Sequence, residues 1–109
     1  MQKQSENAIQ QQIVRWYKNT YCLKHHNPRC MIFHVPNQMQ QRFVSIGLLP
    51  GVSDLIINHN GQWVCIEVKD HKGKLSEAQE DFAIRVETMG TKYYMVRSLN
   101  EFIEAVSKL

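Results

Sequence analysis

The sequence predicts a single mixed α/β domain whose elements run α, β, β, β, α, β, α. Three observations carry that expectation. A helical apolar stripe lies near the N-terminus, a hairpin signal at Asn60-Gly61 joins two strand-like runs, and capping patterns at Ser76 and Ser98 each open a helix. The 109 residues are 43% hydrophobic and 21% charged, which fits one globular domain over residues 1–109 with a modest core. A core of that size benefits from a partner subunit that covers more apolar surface, so a dimer is a reasonable expectation.

Over residues 5 to about 19, Ile9, Ile13, Trp16 and Tyr17 recur at helical spacing. Glu6 stands one turn before Ile9 and is expected to extend that buried stripe toward the helix N-terminus. "CLKHHNPRC" ends the helix, and "MIFHV" reads as a first strand. Between the prolines at 36 and 50, "NQMQQRFVSIGLL" fits either a short helix or an irregular loop. "SDLIIN" and "WVCIEVK" follow, joined by "HNGQ", whose Asn60-Gly61 pair suits the positive φ angles of a tight hairpin turn. Past Gly73, Ser76 and Gln79 match a capping box, and Ala78, Phe82, Val86 and Met89 mark the inward face of a helix that Gly90 stops. "KYYMVR" is a fourth strand, and Ser98 with Glu101 opens a last helix carrying Phe102, Ile103 and Val106.

The N-terminal "MQKQSENAIQQQ" has no apolar core of a signal peptide, and no apolar run approaches the roughly 18 to 20 residues that cross a bilayer. Cys22, Cys30 and Cys65 are too few, and odd in number, for a disulfide framework. A soluble, intracellular protein is expected, with neither a membrane partner nor an organic cofactor. The net charge of +3 and a pI near 8.8 permit a polyanionic partner without requiring one. Lys69, Lys72 and Lys74 in "KDHKGK", with Arg15, Lys18, Lys24, Arg29 and Arg42 elsewhere, suit phosphate backbones; the alternative is a solvated loop and helix faces.

The hairpin sets an arithmetic. With Asn60 and Gly61 as the loop, Asn58 faces Trp63, Ile56 faces Cys65 and, counting on, Asp54 faces Glu67. Lys69 then shares the face of Glu67, while Val64, Ile66 and Val68 take the other. Cross-strand carboxylates with Cβ atoms about 4.5 to 5.5 Å apart are destabilising unless a cation lies between them. Lys69 or a divalent metal ion would serve. Two hard carboxylates, with the Val68 carbonyl and waters, suit Mg²⁺ or Mn²⁺ better than zinc. Such an ion polarises a phosphoryl oxygen and activates water, and Lys69 would orient or deprotonate that water and offset developing charge. Phosphodiester hydrolysis is the natural chemistry; the competing reading is a structural Glu67–Lys69 pair with Asp54 as a turn acid.

Asp54 followed thirteen residues later by Glu67-Val68-Lys69 across a hairpin resembles the PD-(D/E)xK nuclease pattern. Within that superfamily the chain is similar to the VRR-NUC family over nearly its whole length, through Glu6 on the first helix, "PGVSDLI", "IEVK", "GKLSEAQ" and "YYMVRS" before "LNEFIEA". The resemblance implies a restriction-endonuclease-like αβββαβ core with a C-terminal helix and a mixed sheet. It implies a metal-dependent DNA endonuclease using Mg²⁺, with Mn²⁺ as a substitute. Asp54, Glu67 and the Val68 carbonyl would hold the metal, Lys69 would be the catalytic lysine, and Glu6 would complete the site directly or through water. Gln79 would position Lys69 or the attacking water, with its capping-box use as a competing role. The resemblance also implies that short stand-alone members, often phage-encoded and acting in a host cell's cytoplasm, work as homodimers on branched DNA such as four-way (Holliday) junctions. Two positions depart from the family pattern: Ser53 stands where proline often precedes the aspartate, and Ser98 replaces the last arginine of the Val-Arg-Arg triplet.

Lys72, Lys74, Arg42 and Arg97 are the expected contacts to DNA phosphates. Cys22, His25, His26 and Cys30 have zinc-ligand chemistry, but their spacing is that of no familiar zinc module, which favours a connecting loop. Cys65 is expected in the core, without a nucleophilic role, and so are Tyr93 and Tyr94, although both could stack on bases. Apolar side chains in residues 43–49 are candidates for a dimer contact or for the core. Two rivals stand against the nuclease of branched DNA: a non-catalytic DNA-binding module, and a sequence-specific restriction-type enzyme whose base-reading element would lie in residues 36–49.

Overall fold

Ser5 caps the first helix by accepting from the Ala8 N–H, and α1 runs over Glu6–Tyr17. The computed structural model describes residues 4–23, 29–36, 47 and 49–109. Ile9, Ile13 and Tyr17, four residues apart, form the buried face of α1. Glu6 departs from expectation: it is exposed, because the first turn of α1 extends past the sheet that buries Ile9. The chain then widens into a π-helix over Lys18–Leu23. Its wider turn brings Tyr21 against both Trp16 and Tyr17, with ring centroids 5.8 and 5.1 Å apart. His25, His26 and Lys24 lie outside the described residues, as do Arg42 and residues 43–46 and 48.

Four strands form one sheet in the order β1-β2-β3-β4: β1 is Cys30–His34, β2 Leu55–His59, β3 Gln62–Val68 and β4 Lys92–Val96. The first three are antiparallel neighbours, and β4 runs parallel to β3. Asn60 and Gly61, with φ of 55° and 92°, make the turn between β2 and β3, and the Asn58 side chain accepts from the Gly61 N–H at 2.8 Å. This fixes the register that the turn predicts, with Asn58 beside Trp63 and Ile56 beside Cys65.

A parallel pair needs a crossover, and α2, Glu77–Thr88, supplies it between β3 and β4. The last helix, α3, covers Leu99–Val106. Alternation divides the sheet into two faces. Leu55, Ile57, Val64, Ile66 and Val68 point to the side covered by α1 and α3, where Phe102 and Val106 complete the core. Cys65, Glu67 and Tyr93 point to the α2 side, where Phe82 meets the Tyr93 ring at 6.2 Å. Cys65 is buried there, as expected.

Two expected core positions move. Met89 is 74% exposed because it is the C-cap of α2, with φ −85° and ψ 4°, so the helical period no longer applies to it. Ile103 is only half-buried, and Ala105 takes the inward place beside Phe102 and Val106. Among the described residues no helix is long and apolar enough to cross a membrane.

Candidate active site

The hairpin register places Asp54 just before β2 and Glu67 near the end of β3, at the same end of the sheet. Asp54 Oδ2 accepts from the Val68 N–H at 2.9 Å, which ties the loop acid to the strand that carries the second acid. Its carbonyl is held as well, accepting from the Val35 N–H at 2.9 Å and from His34 Nδ1 at 2.8 Å. A carbonyl only accepts, so the His34 proton sits on Nδ1; the Gln10 amide of α1 lies 3.1 Å from the same nitrogen. Nothing in the spacing pointed to His34 or Gln10, since the contacts of His34 with Asp54 and of Gln10 with His34 join residues distant in sequence.

Glu67 is 1% exposed. Its Oε2 accepts from Gln79 Nε2 at 3.2 Å and lies 3.9 Å from Lys69 Nζ, whereas Oε1 is buried without a hydrogen-bond partner. Burial, followed by a hydrogen bond and charge repulsion from Asp54, pushes the Glu67 carboxyl up to about 9, with Lys69 pulling the other way. Burial next to the same two acids also raises the Tyr93 phenol.

Gln79 completes the expected capping box, and its amide also bonds to Glu67. Its Oε1 accepts from the Ser76 N–H at 2.8 Å, completing the capping box with the Ser76 hydroxyl, and its Nε2 is thereby turned to Glu67. The amide has an acceptor end for the cap and a donor end for the acid. Gly51 keeps this turn in place. With φ +83°, it lies so close to α2 that a Cβ would come within 2.2 Å of the Ala78 carbonyl oxygen and 2.8 Å of the Gln79 nitrogen.

The loop after β3 is built around Asp70, whose Oδ1 accepts from the Lys72 N–H at 2.9 Å and the Gly73 N–H at 2.6 Å; these bonds hold its carboxyl below the usual range. Glu6 borders this loop. A Cβ on Gly73 would stand 3.1 Å from the Lys69 stem, 3.2 Å from Asp70 Oδ1 and 3.4 Å from Glu6 Oε1, so the absence of a side chain there lets α1 approach. The structure thus brings Asp54, Glu67, Val68, Lys69 and Gln79 together, with Glu6 beside them across Gly73. Lys72 and Lys74 are exposed on the loop, while the Arg97 guanidinium donates to the Asp70 carbonyl and braces it. Arg42 lies outside the described residues. Ser98, in place of an arginine, caps α3 by accepting from the Glu101 N–H, and Glu101 accepts from the Arg97 N–H instead of completing a capping box.

The donor set fits the divalent metal that the fold family implies. Glu67 Oε1 is a buried oxygen in need of a cation or a proton, and the interacting Asp54 carboxylate is a second hard donor. Among the described residues no group of three or more His, Cys, Asp and Glu side chains is placed to hold a metal, so Asp54 and Glu67 would need ligands of other kinds to complete a coordination shell.

A four-stranded mixed sheet between α1/α3 and α2, with two acids and a lysine at one end of it, defines a nuclease domain of the PD-(D/E)xK class. The VRR-NUC domain model matches residues 1–100, and the chain belongs to the VRR-NUC family, whose domains are DNA-processing nucleases. The fold is similar to that of a solved structure described as a VRR_NUC domain protein. The TM-score is 0.78 at 19% identity, over 97% of this chain and 88% of the other. No curated protein matches the chain.

Proposed function

We propose that the protein is a Mg²⁺-dependent endodeoxyribonuclease, with Mn²⁺ able to substitute, that cuts branched DNA such as four-way (Holliday) junctions as a homodimer. The observation that carries the reading is the buried Glu67, with one oxygen bonded to Gln79 and the other without a partner, beside Asp54 and Lys69. An acid buried at this cost is hard to explain as a structural pair, because an apolar residue would fill the position more cheaply.

Asp54, Glu67 and the Val68 carbonyl would hold the metal, with Glu6 contributing across Gly73 through water. When bound, the ion supplies Lewis-acid stabilisation of the phosphoryl oxygens and a more acidic water. The chain's own groups do the positioning. The Val68 N–H and the two donors on the Asp54 carbonyl fix Asp54, and the Gln79 amide fixes Glu67. The Lys69 ammonium, 3.9 Å from Glu67 Oε2, would orient the attacking water and offset charge growing on the phosphate. Exposed Lys72 and Lys74 suit the flanking backbone phosphates.

The preference for branched DNA is drawn from the likeness to short VRR-NUC proteins, and a two-fold dimer would present two sites for paired incisions. The test is cleavage of an end-labelled four-way junction beside a linear duplex of the same sequence. Selective cutting of the junction is expected; equal cutting of both would retain the nuclease and remove the branch preference.

A further inference from the structure

Two buried polar atoms on the α2 side of the sheet have no hydrogen-bond partner among the described residues, Glu67 Oε1 and the Tyr93 hydroxyl oxygen. The first is the oxygen offered to the metal, and the second has no part in the site described above. A buried phenol without a partner gives up the hydrogen bonds it makes in water, and phenylalanine would fill the same place without that loss.

The sheet brings the two groups together. β3 and β4 are parallel, with Cys65 beside Tyr93 and Glu67 beside Met95, so Tyr93 and Glu67 are diagonal neighbours on one face. A diagonal pair lies within reach of an aromatic side chain. Both residues are held from α2, where Gln79 and Phe82 stand three residues apart on one side of the helix. Gln79 occupies Glu67 Oε2, which leaves Oε1 as the oxygen open to another donor. Phe82 meets the Tyr93 ring at 6.2 Å and 62°, an edge contact that fixes the plane of the phenol. Electrostatics agrees with this placement: burial first, then the charges of Glu67 and Asp54, raise the Tyr93 phenol. A raised phenol keeps its proton and meets a carboxylate as a donor.

We propose that Tyr93 is a positioning residue of the metal site, whose hydroxyl donates through one bridging water to Glu67 Oε1 and holds that carboxylate oriented for a divalent ion. The inference rests on the metal-dependent reading under Proposed function. No direct bond joins the two groups, and a water between them accepts from the phenol and donates to the carboxylate, the pairing that buried waters make with groups lacking partners. A carboxylate oxygen has two lone pairs, so Oε1 can take the bridge and the ion together. Gln79 on one oxygen and Tyr93 on the other would brace Glu67 from α2 and from β4. Outer hydrogen bonds of this kind orient ligating carboxylates, and losing one weakens metal affinity about 10-fold or more.

The test is a Mn²⁺ titration of the DNA-free protein, read by the electron paramagnetic resonance signal of free Mn²⁺, in wild type, Tyr93→Phe and Tyr94→Phe. Tyr94 is the control, because its ring packs against the core on the opposite face of the sheet. Circular dichroism verifies folding, and Tyr93→Phe keeps the ring that Phe82 touches. The expected result is a Mn²⁺ dissociation constant about 10-fold higher in Tyr93→Phe and unchanged in Tyr94→Phe. In cleavage assays Tyr93→Phe should need about 10-fold more Mg²⁺ for half-maximal rate, with KM for DNA unchanged. Wild-type Mn²⁺ affinity in folded Tyr93→Phe overturns the positioning role and leaves the metal-dependent reading standing. An equal loss in Tyr94→Phe overturns it as well, since the effect would then not belong to the Glu67 face. A raised KM for DNA at wild-type Mn²⁺ affinity would make Tyr93 a DNA contact and overturn the proposal. A wild type that binds no Mn²⁺ overturns both this inference and the metal-dependent reading.

Discussion

Glu67 gives the sharpest quantitative test. Its carboxyl is raised from an ordinary value of 4.5 to about 9, first by burial and then by Asp54. A carboxyl raised in the folded state holds its proton there after the unfolded chain has lost it. Stability therefore falls as pH climbs from the unfolded value toward the folded one. A proton held this tightly makes stability fall by slightly more than about 1 kcal/mol per pH unit in that window, so moving from pH 6.5 to 8.5 removes on the order of 2 to 3 kcal/mol. The window lies above the range where the lowered His59 titrates and below the raised Tyr17 and Tyr93 phenols; the buried Cys22 and Cys65 thiols, also raised, add a loss of the same sign only at its upper end, so the lower part of the window reports Glu67. Urea unfolding in EDTA at several pH values should show this loss in wild type, and Glu67→Gln, which is neutral and nearly isosteric, should flatten it. Saturating Mg²⁺ should restore wild-type stability at the upper pH more than that of the variant. An equal slope in Glu67→Gln, or a wild type that gains stability over this range, would refute the assigned environment.

Further expectations follow from the contacts around the site. Gln79→Leu removes both the cap to Ser76 and the donor to Glu67, so it should cost about 2 kcal/mol in urea unfolding and lower kcat about 100-fold. Gly51→Ala should cost at least about 2 kcal/mol, because its Cβ meets the Ala78 carbonyl and its φ is +83°; unchanged stability would contradict that packing. Arg97→Ala, losing the brace on the Asp70 carbonyl, should reduce kcat with little change in the salt dependence of DNA binding. Lys72→Ala and Lys74→Ala should each lower the slope of log affinity against log salt by about 1, as expected for lost phosphate contacts.

The central arrangement was legible because one local signal fixed it. Asn60-Gly61 sets the hairpin turn, the turn sets the register, and the register brings the residues before β2 to the end of β3, where Asp54 and Glu67 meet. Ser76 and Ser98 likewise announce their helices through local capping chemistry. What stayed hidden depends on contacts between distant segments. Gly51 against Ala78, His34 on the Asp54 carbonyl and Arg97 on the Asp70 carbonyl have no periodicity to reveal them. Met89 was misplaced for a simpler reason, since a 3.6-residue period was carried one residue beyond the last helical turn. Glu6 was misjudged because a stripe says which face is buried and not how far the sheet extends beneath it. The π-helix over Lys18–Leu23 left no sequence mark at all. Asp70, by contrast, was readable: an aspartate three residues before glycine in "DHKG" is a turn signal, and it builds the loop beside Lys69.

The most direct measurement is cleavage of labelled four-way junction DNA by wild type and Lys69→Ala, each with Mg²⁺ and with EDTA, alongside circular dichroism of both proteins. The account predicts cutting by wild type with Mg²⁺ alone and none by the variant, which stays folded and still binds DNA. Cutting by a folded Lys69→Ala at the wild-type rate, or by wild type in EDTA, would contradict it.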